Sequence, residues 1–144
     1  MKQYRNSFHW NPEQYAQLSS AFLASENPND LSAADYGFGH MRHWLRKAGG
    51  TRTLGHSLDM ERWPSPDGST VGQTVWYDYE GKDLVAYPRE EGTRPLPLCV
   101  AVVVAPGPPR CSHYVRYERN QWGKPTEIVQ AAVKIGRASC RERV

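Results

Sequence analysis

Gly72-Gln73-Thr74-Val75-Trp76-Tyr77-Asp78-Tyr79-Glu80-Gly81-Lys82 is the stretch that decides the fold. Positions 74–79 are rich in β-branched and aromatic residues, which favour a pleated strand, and Glu80-Gly81-Lys82 then supplies a turn. The same grammar returns downstream: Ser112 to Tyr117 and Pro125 to Val133 read as a strand pair around Asn120-Gln121-Trp122-Gly123. Turn signals at Pro64-Ser65-Pro66-Asp67-Gly68, Glu91-Gly92 and Pro106-Gly107-Pro108-Pro109 divide the intervening chain into short runs. Residues 51–134 are therefore expected to be mainly β, made of antiparallel hairpins.

Residues 1–50 read as a helical N-terminal segment with one or two short helices. Asn11-Pro12-Glu13 is a helix entry with proline at the first helical position, followed by Tyr15, Leu18 and Phe22 on one face; Asn27-Pro28 ends the run. A second entry, Ser32-x-x-Asp35, resembles a capping box and leads to Tyr36, Met41, Trp44, Leu45 and Ala48 before Gly49-Gly50. Gly37 and Gly39 each cost a helix about 1 kcal/mol against alanine, so the expected helix is placed at His40 to Ala48 rather than Ala33 to Gly39.

Two turns share a frame. Asp78-x-x-Gly81-Lys82 and Asn120-x-x-Gly123-Lys124 set Asp or Asn three residues before glycine. Asp and Asn bond the backbone two residues on and open a turn, and glycine takes the positive φ that closes it. Asp78, Gly81, Asn120 and Gly123 are thus the expected turn residues, and Trp76, Tyr77, Tyr79, Tyr117 and Trp122 the aromatics that pack across strands. Thr74 to Lys82 and Arg116-Tyr117-Glu118-Arg119-Asn120-Gln121-Trp122-Gly123-Lys124-Pro125-Thr126 resemble the units of Rhs-type YD-repeat proteins. Met41 to Leu45 and Glu61 to Gly68 also resemble a segment found between such repeats.

That resemblance implies an internal fragment of a secreted or cell-surface protein whose hairpins wind into a hollow shell, often around a C-terminal toxin, with carbohydrate binding in some members. Its partners would be neighbouring repeats of the same parent chain. Neither catalysis nor a cofactor is expected, because the chain offers no GxGxxG or Walker loop, no nucleophile elbow and no convergent set of titratable groups. Arg119 departs from the pattern, standing where the repeat usually has tyrosine. Ala105 to Ser112 also departs, falling where a Pro-Asp-Gly turn would be expected, and reads as a short frameshift or a divergent loop.

Composition narrows the classes further. Only 39% of the 144 residues are hydrophobic, with 12 Gly and 11 Pro, which argues against a large dry core. The net charge of +3 comes mostly from the last ten residues, where Arg137, Arg141 and Arg143 face a single acid, Glu142. That tail, Ile135 to Val144, resembles the translation of a sequencing-library adaptor and is expected to be foreign to the protein, which would then continue past Lys134. The remaining body is nearly neutral, which gives no electrostatic footprint for nucleic acid. No apolar run is long enough for a membrane span, and no hydrophobic run follows Met1 as a signal peptide would require. Three cysteines, Cys99, Cys111 and Cys140, without CxxC spacing, give neither a disulfide framework nor a thiolate metal site.

Candidate chemistry is sparse. His40 and His43, three apart on an expected helix, would share a face and with Cys99 or Cys111 could bind a metal, but no third ligand at matching spacing supports this and no metal is expected. Cys99 lies in the apolar run Leu96 to Val100, where an inert buried thiol is the default. Asp67, Asp78 and Glu80 could pair for glycoside chemistry, yet turn roles already account for them. Arg110, Arg116, Arg119 and Lys124, beside Tyr114, Tyr117 and Trp122, read as a solvent-facing row rather than a nucleic-acid face. The alternative to a structural fragment is a small carbohydrate-binding module that stacks sugars on Trp76, Tyr77, Tyr79 and Trp122.

Overall fold

A single antiparallel sheet of seven strands, each pairing with its neighbour in sequence, forms the body of the computed structural model. The structure describes residues 5–50, 53–83, 85–86, 88–103 and 110–135. In chain order the strands are β1 (Asn6–His9), β2 (His40–Arg46), β3 (Leu54–Arg62), β4 (Thr74–Tyr79), β5 (Pro97–Val103), β6 (Arg110–Arg119) and β7 (Pro125–Ile135). The mainly β, antiparallel expectation is met, and the expected strands around residues 74–79, 112–117 and 125–133 are β4, β6 and β7. Residues 104–109 and 136–144 lie outside the described residues, and with them most of the divergent loop, nearly all of the tail and Cys140. Among the described residues no helix is long and apolar enough to cross a membrane.

The N-terminal fifty residues differ from expectation in two ways. The run from Asn11 to Ser25 is two helices, α1 (Pro12–Tyr15) and α2 (Ser20–Ser25), not one. Its entry is as expected, with the Asn11 side chain accepting from the Gln14 amide at 2.8 Å and Gln14 reaching back to the Asn11 amide at 2.9 Å. The break follows from a tertiary bond: the Ser19 amide donates to the Asp35 carboxylate at 2.8 Å, and Leu18 turns into the interior. Asn27 then caps a short 3-10 turn, Pro28–Asp30.

The second difference reverses the helix placement. The capping box at Ser32 and Asp35 opens α3 (Ala33–Phe38), and His40 to Arg46 is strand β2 rather than helix. Met41 and Leu45, both buried, are four residues apart, a spacing that lies on one face of a helix and equally on one face of a strand. Pairing decides between them, because β1 and β3 flank this segment on both sides. The sheet consequently runs across residue 50, and the expected boundary there is not a boundary of the sheet.

The helical segment packs at the β1 end. Phe8 contacts Trp10 and Tyr36 with ring centroids 5.9 and 4.7 Å apart, and the Trp10 indole donates to the Asp35 carbonyl at 3.0 Å. Among the described residues the buried apolar side chains are Leu18, Met41, Leu45 and Tyr79. Three of the four lie at or near this end. Every residue of β5 is only half-buried, and Pro125 to Ala131 of β7 are all exposed.

Candidate functional site

The two turns that share a sequence frame can now be compared. Gly81 and Gly123 both have positive φ, +73° and +79°, as the frame requires. Around Gly123 the expected chemistry is complete. The Asn120 carboxamide accepts from the amides of Trp122 and Lys124, each at 3.0 Å, and the main chain closes with Gly123 donating to the Asn120 carbonyl at 2.9 Å. The connection from β6 to β7 is therefore a short, fully bonded turn.

Around Gly81 it is not. Asp78 stays in β4, directly opposite Cys99, because the strand runs through Tyr79 and the bend starts one residue later than the frame implies. Its Oδ1 is buried with no hydrogen-bond partner among the described residues. The bend is closed instead by the Lys82 amide on the Tyr79 carbonyl at 3.3 Å and the Thr93 amide on the Glu80 carbonyl at 2.7 Å. The chain then makes a long excursion before β5. Asp78 is thus corrected from turn residue to strand residue, and the two joints match in their glycines only.

The aromatic set is divided. Val75, Tyr77 and Tyr79 alternate onto one face of β4, and the register places Val100, Val115 and Tyr117 on that same face. The Tyr77 hydroxyl donates to Glu61 at 2.6 Å and the Tyr79 hydroxyl to the Leu58 carbonyl at 2.7 Å. Burial holds the Tyr77 phenol far above its ordinary pKa, with Glu61 adding to the effect. Burial first, then the nearby charges of Asp59 and Glu91, pushes Tyr79 up to about 12. Trp76 points to the opposite face and is 47% exposed, while Trp122 stands at the tip of the β6–β7 turn, 81% exposed. Trp76, Tyr77, Tyr79 and Trp122 do not form one stacking platform.

Several organising residues had no clear mark in the sequence. Glu61 is a hub: it meets His40 Nε2 at 2.9 Å, the Tyr77 hydroxyl, and Arg42 Nε at 3.6 Å, and so ties β2, β3 and β4 together. Trp63 stacks on His40 with centroids 4.6 Å apart. Lys82, the residue after the turn glycine, has its side chain only 6% exposed and pairs with Asp59 at 2.7 Å. Arg119, the departure from the repeat, donates to the Pro97 carbonyl at 3.3 and 3.4 Å and to the Gly123 carbonyl at 3.0 Å, and lies 4.7 Å over the Tyr117 ring. It fastens the turn to β5, a role tyrosine would not fill in the same way.

A strap from the β4–β5 excursion clasps the β2–β3 hairpin. Arg46 exchanges main-chain bonds with Arg89 and Glu91, both 2.8 Å. The Glu90 carboxylate accepts from the amides of Gly49 and Gly50, each 3.0 Å, and Glu91 accepts from those of His56 and Ser57 at 2.6 and 2.9 Å. Gly55 lies so close to the Glu91 side chain that a Cβ there would overlap it. The Glu91-Gly92 signal had marked a simple turn.

The candidate chemical groups are dispersed. On a strand rather than a helix, residues three apart point to opposite faces, so His40 and His43 separate: His40 meets Glu61, while His43 meets Asn6. No group of three potential metal ligands occurs among the described residues. Asp67 accepts from the amides and hydroxyls of Ser69 and Thr70, which hold its carboxyl well below the usual range, and Glu80 pairs with Arg94 at 3.2 Å. Asp67, Asp78 and Glu80 therefore do not converge on a glycosidic bond. Cys99 is half-buried with Sγ 2.8 Å from the Tyr114 hydroxyl; that bond, then burial, pushes Tyr114 up to about 12. Compared with protein-family models, curated proteins and solved structures, the chain matches none.

Proposed function

We propose that this chain is a structural, non-catalytic piece of a YD-repeat-like β-ribbon, whose hairpins pack with neighbouring repeats of the same parent protein to build an encapsulating sheet. One observation carries the reading: from β4 to β7 the sheet is a single layer. Apart from Tyr79, which is buried, its apolar residues Val75, Val100, Val102 and Val115 are half-buried at best, and among the described residues no helix packs over these strands. A sheet stabilises itself by burying at least one face against another element, and repeat units achieve this only with neighbours. The sequential strand order is also what a winding ribbon of hairpins requires.

Calorimetry of the isolated chain tests the proposal. A self-sufficient domain absorbs about 0.7 kcal/mol per residue on unfolding near 60 °C. A scaffold piece without neighbours gives well under half of that, in a broad transition. A sharp two-state transition with the full enthalpy would overturn the reading.

A further inference from the structure

Main-chain bonds gather three arginines at the end of β2. The Trp44 amide donates to the Arg5 carbonyl at 2.9 Å, and Arg5 Nη1 reaches back to the Trp44 carbonyl at 3.3 Å. Two residues on, the Arg46 amide donates to the Arg89 carbonyl at 2.8 Å, so the strap sets Arg89 beside Arg46. The side chains converge as well. Burial first, then the charges of Arg46 and Arg89, lowers the pKa of Arg5 against the opposing pull of Asp59. Gathering like charges costs free energy unless something of opposite sign offsets it.

The described part of the chain offers little offset. None of the three arginines forms an ion pair among the described residues. Asp59, whose charge reaches Arg5, is itself held by Lys82 at 2.7 Å. The strap carboxylates are engaged elsewhere, Glu90 with the amides of Gly49 and Gly50 and Glu91 with those of His56 and Ser57. Arg46 carries the clearest mark, because its Nε is buried and has no hydrogen-bond partner among the described residues. Nearly every buried donor in a folded protein is bonded, and leaving a charged one unpaired costs more than leaving a neutral one.

We propose that Arg5, Arg46 and Arg89 form a binding site for a tetrahedral dianion, a phosphate or sulfate group, at the junction of β1, β2 and the strap. A guanidinium presents its N–H donors in a fixed fork that matches such oxygens two at a time. Three forks exceed what the single charge and two oxygens of a carboxylate satisfy. All three arginines belong to this chain, so the site goes beyond the scaffold reading and neither depends on the other.

NMR titration of the full chain with sodium sulfate and with inorganic phosphate, at ionic strength held constant with sodium chloride, tests this. The Arg46 Nε–H signal and the Trp44 and Arg46 amides are expected to shift saturably with the dianions and not with chloride alone. Read from the amides, affinity should fall about tenfold or more in Arg46→Gln, from the loss of charge-assisted bonds. It should also fall in Arg89→Gln, and stay unchanged in Arg116→Gln on β6. Circular dichroism checks that each variant keeps the sheet; should Arg46→Gln lose it, Arg89, which is exposed, supplies the deciding variant. Shifts that chloride reproduces, or an affinity that Arg89→Gln leaves at the parent's value, overturn the site. A further arm with a sugar monosulfate separates two sources of the same group: tighter binding than sulfate assigns the site to an esterified group, and equal or weaker binding assigns it to the free ion.

Discussion

Lys82 and Lys124 follow equivalent glycines, yet Lys82 is nearly buried against Asp59 and Lys124 is exposed. Removing one member of a buried ion pair strands the other, which costs 3–5 kcal/mol when both are fully buried. Asp59 keeps 20% exposure, so Asp59→Ala is expected to cost about 2–3 kcal/mol in urea denaturation, after the discount for solvent screening. Asp59→Leu combined with Lys82→Met should recover most of that loss, because neither charge is then left unpaired. At the exposed β6–β7 turn a smaller effect applies. Asn120→Ala removes the acceptor of two amides that water can replace, for a loss of about 1 kcal/mol.

Elements in this protein are held by carboxylates that accept main-chain N–H groups. At α3 burial works to raise the Asp35 pKa, but hydrogen bonds from Ser32 and Ser19 win and hold it below the ordinary carboxylate value. A carboxyl depressed in the folded state contributes stability that is present above its unfolded value, near 3.9, and is lost as pH falls through the lower folded value. Asp35→Asn should therefore flatten the acid limb of the stability profile, leaving the variant least different from the parent at the lowest pH. A profile parallel to the parent's would remove Asp35 from this role. The strap gives a second test: Glu91→Ala should speed exchange of the His56 and Ser57 amides by an order of magnitude or more, an estimate from one lost charge-assisted bond each. Unchanged protection there would mean that Arg89–Glu91 is held by its main chain alone.

Across the whole molecule, burial declines from the helix-covered end toward β7. Local opening free energies follow buried contact density, so amide protection is expected to be highest in β2 and β3, intermediate in β4 and β5, and lowest along β7. Uniform protection across all seven strands would contradict the single-layer description. The gradient also locates the scaffold reading, since the weakly covered end is the end at which neighbouring hairpins would pack.

The strands at 74–79, 112–117 and 125–133, the caps at Asn11 and Ser32, and the bonded turn at Asn120 to Lys124 could all be read from sequence, because each depends on residues within a few positions of one another. What only the tertiary structure decided depends on partners far along the chain. His40 to Arg46 became a strand because β1 and β3 were there to pair with it, Glu61 became a hub through His40 and Tyr77, and Glu91, read as a turn residue, joins Glu90 in clasping a hairpin 34 to 41 residues upstream. Local preference is a matter of about 1 kcal/mol per residue, and several cooperating long-range bonds exceed it. That is why a helix-compatible spacing at Met41 and Leu45 gave way to the sheet.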